Sequence, residues 1–381
     1  MEGWHVQPKL VVDSFCEFAE MLRPWTIQDF WNVENHEFIP GAIYLVERQR
    51  FVENGPRLRE YIERGESRFV FSLPFEGSET LVNHLYQYRL ADLVKSRKLL
   101  LISGGDMGPE WPHLTYDLFS TKFHDFEENI AEAERSTQFI YEKKYKPYKF
   151  LFLNGRERSH RKYLLEKFRL RGLLKHSVWS NLSPLPTPTM DLSLWHDGVD
   201  LTTTTSEIKL LDTHYEVDRY RARPQNITNQ TRFVKSELFN DEWGDIYVNA
   251  DPYIDTYFSL VTETVFNYPY SFRTEKIWKP IAMCHPWIAV ANQGYYRDMR
   301  NLGFRTFGSL IDESFDQIDN SQQRIERISE IVEDLCRQDL VSFVTAAEDI
   351  CKYNQQHLIE FRQQVKSEFP DRLFQFLKKY E

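Results

Sequence analysis

Short apolar runs alternate with longer polar stretches in the first third of the chain. The runs GAIYLVE (41–47), RFVFSLP (68–74) and KLLLISGGD (98–106) each end in proline or an acidic residue. The stretches between them space apolar residues three and four positions apart, as an amphipathic helix does. Strands that alternate with helices predict a parallel α/β sheet.

The same alternation returns further along the chain. An apolar strand at 150–153 runs into a polar turn and a basic helix, and a strand pattern at 253–264 precedes a helix pattern at 274–283. A second strand and a helix closed by Gly303 follow. The pattern therefore predicts a second α/β domain, so that the fold class is α/β with two Rossmann-like domains.

The domain limits follow from breaks in this pattern. We predict an N-terminal domain over 1–146, a second domain over 147–318 and C-terminal helices over 319–381. Within the second domain, about 181–231 contains NLSPLPTPTM, a TTTT run and RARPQNITNQT, which predict an irregular excursion.

Composition places the chain among globular proteins. Of its 381 residues 41% are hydrophobic and 15% aromatic, enough for two cores. Lys and Arg number 47 against 57 Asp and Glu, which gives a formal charge of −10. Such a balance disfavours binding to nucleic acid or an anionic membrane by charge alone.

The four cysteines are scattered without metal-ligand spacing, which predicts reduced, buried thiols. The N-terminal residues lack a signal-peptide pattern, and no run is long and apolar enough for a membrane span. We therefore expect a cytoplasmic protein, in a bacterial or a virus-infected cell.

Thr274-Glu275-Lys276 begins a predicted helix shortly after the strand that bears Glu263. The unpaired N–H groups of a helix N-terminus and a lysine there can together bind a diphosphate. A neighbouring glutamate can accept hydrogen bonds from ribose hydroxyls. The same residues also fit a purely structural helix start, with Thr274 as N-cap.

A second basic group follows the first strand of the same domain. Asn154 ends that strand, and Arg156, Arg158 and Arg161 come next. Ligands of open α/β sheets bind at the carboxyl ends of strands, and arginines there suit bidentate phosphate contacts. Taken singly, each arginine could equally be a solvated surface residue.

These segments resemble a known family. The run FSLVTETVFNYPYSFRTEKIWKPIAMCHPWIAVANQG is similar to the donor-binding half of glycosyltransferase family 10, the α1,3-fucosyltransferase family, and YKFLFLNGRERSHRKYLLEKF resembles its strand, turn and Arg-bearing helix. Glu263 is followed by Thr264 where that family has asparagine. The resemblance covers about 148–170 and 256–310, and it implies the two-domain GT-B architecture and transfer with inversion.

Carried over residue by residue, the resemblance implies contacts of Glu263 and Glu275 with the nucleoside, and of Arg161 and Lys276 with the diphosphate. The donor would be a GDP-sugar or UDP-sugar, used as a substrate with no further cofactor. The Asp-x-Asp motif of metal-dependent transferases is absent from the sequence. We therefore expect no metal, with the cationic residues stabilising the leaving group. The donor-site candidates are Asn154, Arg158, Arg161, Glu263, Thr274, Glu275 and Lys276.

The resemblance also implies an acidic base in the N-terminal domain. Glu76, in the Gly-containing loop after a strand, is the first candidate, and Asp106, in ISGGDMGPEW, is the second. Either could instead be a solvated turn carboxylate. The acceptor is open: a glycan, a protein or, if the gene is viral, modified DNA; the oligomeric state is open too. Two other classes remain as alternatives, a non-catalytic nucleotide-sugar or glycan-binding protein and a viral structural protein.

Overall fold

The computed structural model describes residues 9–14, 16–125, 127–154, 158–181, 212–213 and 248–380. Most of the predicted excursion at 181–231 therefore lies outside the described residues, as does Arg156. The chain divides into two compact units. Unit 1 comprises Met1–Leu118 with Gln363–Glu381, and unit 2 comprises Phe119–Arg362.

Unit 1 contains a parallel sheet of six strands in the order β2-β1-β3-β4-β5-β6. The inner strands β3 and β5 are buried along their whole length, which explains their continuous apolar sequences. The six strands are β1 (Leu10–Asp13), β2 (Thr26–Phe30), β3 (Ile43–Glu47), β4 (Arg68–Leu73), β5 (Leu99–Ser103) and β6 (His113–Thr115).

Helices connect these strands. The longest, α2, bends at Asn54, which has non-helical backbone angles two residues before Pro56. The described helices before the division are α1 (Ala19–Leu22), a 3-10 turn (Arg23–Trp25), α2 (Arg48–Arg64), α3 (Ser78–Gln87) and α4 (Ala91–Lys95).

Unit 2 contains a sheet of five strands in the order β11-β10-β7-β8-β9. All its pairs are parallel except the pair of β8 and β9. Phe150 of β7 stacks on Phe258 of β10, with ring centroids 5.5 Å apart. The strands are β7 (Tyr148–Asn154), β8 (Ser177–Asn181), β9 (Asp212–Thr213), β10 (Thr256–Thr262) and β11 (Trp287–Val290).

The helices that follow the division include two long ones near the C-terminus. They are α5 (Leu118–Lys122), a 3-10 turn (Phe123–Asp125), α6 (Glu127–Phe139), α7 (Ser159–Leu170), a 3-10 turn (Leu173–His176), α8 (Asp251–Ile254), α9 (Glu275–Ala282), α10 (Tyr295–Asn301), a 3-10 turn (Ser314–Gln317), α11 (Ser321–Arg337) and α12 (Leu340–Lys379).

The last part of α12 belongs to unit 1. Phe369 packs against Phe18, with ring centroids 4.5 Å apart, and Phe374 packs against Trp25 at 5.3 Å. Arg372 donates to the carbonyl oxygen of Thr115 at 2.9 Å. Unit 1 therefore takes residues from both sides of unit 2 along the chain.

The structure confirms an α/β chain with two largely parallel sheets. Its contacts divide the chain at 118 and not at 146, because the segment before β7 bonds to unit 2. Ser136 donates to the carbonyl oxygen of Met283 at 2.7 Å, and Tyr141 donates to that of Cys284 at 2.8 Å. The contacts likewise divide the helical tail between the two units instead of forming a third part.

Two further predictions concern the cysteines and the membrane. All four cysteines are free and buried, as predicted. Within the described ranges, none of the helices combines the length and the apolar character that crossing a membrane requires.

Candidate functional site

The candidate donor residues of unit 2 begin at the carboxyl end of β7. Asn154, the last residue of that strand, is 2% exposed, and its Oδ1 accepts a hydrogen bond of 2.7 Å from the hydroxyl of Thr262 at the end of β10. The Asn154 Nδ2 is buried and has no hydrogen-bond partner among the residues that the structure describes. A buried amide donor thus remains available at this strand end.

The first turn of α7 joins the same place. Arg161 is buried, and its Nη2 donates to the carbonyl oxygen of Thr262 at 2.9 Å. The Nε2 of His160 donates to the carbonyl oxygen of Glu263 at 2.9 Å. Burial, together with the charge of Arg161, holds the pKa of His160 well below its usual value, so its ring is neutral. The guanidinium of Arg161 is therefore held at the carboxyl end of β10.

Glu263 follows β10 and is fully buried. Its Oε1 accepts from the backbone N–H of Thr274 at 3.2 Å and from the hydroxyl of Tyr295 at 2.9 Å, and its Oε2 accepts from the Thr274 hydroxyl at 2.6 Å. Burial raises the pKa of Glu263. The carboxyl group of Glu263 therefore positions Thr274. The hydrogen bonds that the structure describes for this carboxyl group are all with other residues of the protein.

Thr274 is the N-cap of α9, since its hydroxyl oxygen accepts from the backbone N–H of Lys276 at 3.3 Å. The Lys276 ammonium donates to the same oxygen at 3.3 Å and forms an ion pair with Glu275. Burial raises the pKa of Glu275, but the charges of Lys276 and Lys279, together with its hydrogen bonds, bring the net pKa below the usual value. The first turn of α9 thus presents a partly exposed ammonium beside a carboxylate.

Two sets of hydrogen bonds therefore hold these predicted residues at the consecutive residues Thr262 and Glu263. The first set links Asn154 and Arg161 to Thr262, and the second links Glu263 through Thr274 to Lys276. Two cations, a buried amide N–H and a helix N-terminus are groups that bind phosphate. Arg158, the N-cap of α7, is half-buried beside them.

A separate open cleft of about 450 Å³ lies elsewhere in unit 2 and contains none of the predicted site residues. Four of its five charged residues form ion pairs with one another: Arg135 contacts Asp251 at 2.6 Å, and Lys143 pairs with Asp255. Nowhere in the described part of the chain do three or more His, Cys, Asp or Glu side chains converge in a way that could hold a metal ion.

The two predicted base candidates belong to unit 1. Glu76 is half-buried in the turn after β4. Asp106 follows β5, its side chain is 58% exposed, and it contacts His113 at 3.1 Å. A hydrogen bond with His113 lowers the pKa of Asp106 to about 2. A carboxylate with so low a pKa is a weak base, which makes Asp106 a poor proton acceptor.

Sequence reasoning did not single out Glu47, the last residue of β3. It is 5% exposed, and burial, with the nearby charge of Asp13, raises its pKa to about 7. Its Oε1 has no hydrogen-bond partner in the described ranges. The sequence does contain a signal for Glu47, because it is the last residue of the predicted strand GAIYLVE. Ligands of parallel sheets bind at the carboxyl ends of strands, and Glu76 was chosen because it lies just after such an end.

Comparison with known proteins gives no match for this chain. The chain matches no protein-family model, and none of the curated proteins and none of the solved structures matches it significantly.

Proposed function

We propose that this protein is a glycosyltransferase that moves a sugar from a nucleotide-diphosphate donor to a hydroxyl acceptor, with GT-B architecture and two Rossmann-like domains. Unit 2 would bind the donor. The observation that supports this most directly is the grouping of Asn154, Arg161, Thr274 and Lys276, which two sets of hydrogen bonds hold at the consecutive residues Thr262 and Glu263. The positive charges of Arg161 and Lys276 complement the negative charge of a diphosphate.

The chemistry follows from those groups. Cleavage of the bond between the sugar and the diphosphate leaves negative charge on the phosphate oxygens. Lys276 and Arg161, with the N-terminus of α9, would stabilise that charge, and we propose that no metal ion takes part. In a transfer with inversion, the acceptor hydroxyl attacks the anomeric carbon opposite the leaving diphosphate.

The test is a thermal-shift screen against UDP, GDP, CMP, dTDP and their sugars, with and without a chelator. We expect a rise of several degrees in Tm with one nucleoside diphosphate, kept in the chelator and lost in Lys276→Ala. Lys352→Ala is the matched control, because Lys352 is an exposed lysine of the same unit that pairs with Glu348 at 2.6 Å.

The outcomes separate the competing functions. No shift with any nucleotide would overturn the proposal and favour a structural protein. A shift abolished by the chelator would overturn the metal-independent mechanism. A shift without release of nucleoside diphosphate from the corresponding sugar donor would indicate a binding protein without transferase activity.

A further inference from the structure

The side chain of Trp278, in helix α9 of unit 2, has a buried N–H group. The residue is 1% exposed, and its ring packs against Phe304 and Phe361, with ring centroids 5.3 Å and 5.8 Å away. Its Nε1 has no hydrogen-bond partner among the residues that the structure describes. Because a buried indole N–H usually has a partner, this group indicates a binding site for a hydrogen-bond acceptor.

A small cavity adjoins the Trp278 side chain. Its volume is about 10 Å³, which is about the space that one water molecule requires. The cavity belongs wholly to unit 2, and its lining consists of three aromatic and three charged residues: Phe119, Lys122, Phe123, Glu275, Trp278 and Lys279.

Helix geometry brings the polar groups of this cavity together. Glu275 and Trp278 are three residues apart in α9, and Lys279 is four residues after Glu275, so all three lie on one face of the helix. Long side chains in a helix lean toward its N-terminus, which directs the indole ring over the turn that contains Glu275. The indole N–H and the Glu275 carboxylate therefore face one cavity without a direct hydrogen bond between them.

We propose that one water molecule in this cavity accepts a hydrogen bond from the Trp278 N–H and donates one to the Glu275 carboxylate. Buried waters make about three hydrogen bonds, and an ammonium N–H of Lys122 or Lys279 supplies the third. Water suits this lining better than an ion does. The carboxylate disfavours an anion, and the indole N–H and two ammonium groups disfavour a cation.

This bridge makes Trp278 a positioning residue for the donor site, an inference that rests on the proposed function. Glu275 forms an ion pair with Lys276, the lysine that we propose binds the diphosphate. The water fixes the carboxylate from one side, and the carboxylate in turn fixes the ammonium of Lys276. Trp278 thus acts on donor affinity through Glu275, without touching the donor.

The first experiment detects the water by NMR in the full chain with 15N-labelled tryptophan. We expect NOE and ROE cross-peaks of opposite sign between the Trp278 indole N–H and water, because proton exchange would give the same sign in both. Trp287 is the internal control, since its Nε1 is also buried without a described partner and it does not line the cavity. Trp278→Phe and Trp287→Phe assign the two signals.

The cross-peak should persist in the double variant Lys122→Met/Lys279→Met, which removes the ammonium protons nearest to the indole ring. Its loss there would show that an ammonium group produced it and would overturn the proposal. A water cross-peak missing from Trp278 in the wild type, or equally strong at Trp287, would overturn it too.

The second experiment measures the Kd for the nucleoside diphosphate that the thermal-shift screen selects. We expect Trp278→Phe to raise this Kd about tenfold, and Trp287→Phe, which loses the same ring without changing the cavity, to stay near the wild type. Equal values in the two variants would overturn the positioning role.

If the wild type binds no nucleotide, the proposed function fails instead, and the 13Cδ signal of Glu275 then decides the role of Trp278. Glu275→Gln assigns this signal. It should shift in Trp278→Phe and stay in place in Trp287→Phe, and an unchanged signal in Trp278→Phe would overturn the water bridge.

Discussion

The hydroxyl of Thr274 donates a hydrogen bond of 2.6 Å to the buried carboxyl group of Glu263. Its oxygen also accepts from the backbone N–H of Lys276, in the first turn of helix α9. One side chain thus joins the end of β10 to the helix turn that holds Lys276. The placement of the predicted phosphate-binding lysine therefore depends on a carboxyl group that is itself inaccessible to solvent.

Thr274→Val removes these two hydrogen bonds, and the one from the Lys276 ammonium, with little change of shape. Loss of an N-cap costs about 1 kcal/mol, and loss of a partner by a buried polar group costs about 1–3 kcal/mol. We expect the free energy of unfolding in urea to fall by about 2–4 kcal/mol, the sum of these two effects. Thr274→Ser keeps the hydroxyl and should retain most of the stability; equal losses in both variants would contradict this role of the hydroxyl.

Asn154→Asp tests the buried amide donor. The substitution keeps the oxygen that accepts from Thr262 and replaces Nδ2 with an oxygen that repels phosphate. We expect the Kd for the nucleoside diphosphate to rise by about tenfold or more, which corresponds to the loss of about 1.4 kcal/mol. Isothermal titration calorimetry measures this, and Asn301→Asp adds the same charge at an exposed position of unit 2. Similar affinities in the two variants would rule out a contact through Nδ2.

His160 makes stability depend on pH. Its pKa is lowered by burial, so the unfolded chain binds a proton at a higher pH than the folded chain does. The stabilisation from the neutral ring is complete above about pH 6.5 and is lost as the pH falls, by about 1.4 kcal/mol per pH unit. His160→Gln keeps a donor for the Glu263 carbonyl and removes this titration.

Between about pH 7 and about pH 5, the urea midpoint of His160→Gln should therefore fall less than that of the wild type. His176→Gln, at an exposed position, should follow the wild type. Parallel curves for His160→Gln and the wild type would show that the ring does not titrate in this way.

Glu47 has the opposite dependence. Its pKa rises from 4.5 to about 7 on folding, so the folded chain holds the proton more tightly and stability falls as the pH rises through this interval. The shift corresponds to at most about 3 kcal/mol. At about pH 8, Glu47→Gln should be more stable than the wild type by about 1–3 kcal/mol. Urea denaturation at pH 8 and pH 5 checks this, and a variant less stable at both values would contradict it.

The sequence predicted the buried strands well, because β3, β4 and β5 are largely apolar runs and β10 is rich in aromatic and β-branched residues. It did not predict β1, β2 and β6, which have only four, five and three residues. β2 is also largely polar and partly exposed, so neither periodicity nor hydrophobicity marks it. These three strands are defined by pairing with residues distant in sequence.

The candidate site divides in a similar way. The helix start at Thr274 is a local feature, and its sequence signals were sufficient to predict it. The hydrogen bond from Tyr295 to Glu263 spans 32 residues, and that from Arg50 to Asp13 spans 37. Such distant contacts decide which carboxyl groups are paired, so Glu47 could not be distinguished from its neighbours before the fold was known.

The passage of α12 from unit 2 into unit 1 has a consequence for biosynthesis. Phe18 and Trp25 pack against Phe369 and Phe374, which leave the ribosome more than three hundred residues later. Unit 2 is continuous in sequence and can complete its sheet during translation, whereas unit 1 must wait for the end of α12. The nascent chain therefore exposes an apolar surface of unit 1 during most of its synthesis, and expression of 9–118 as a fragment would leave that surface uncovered.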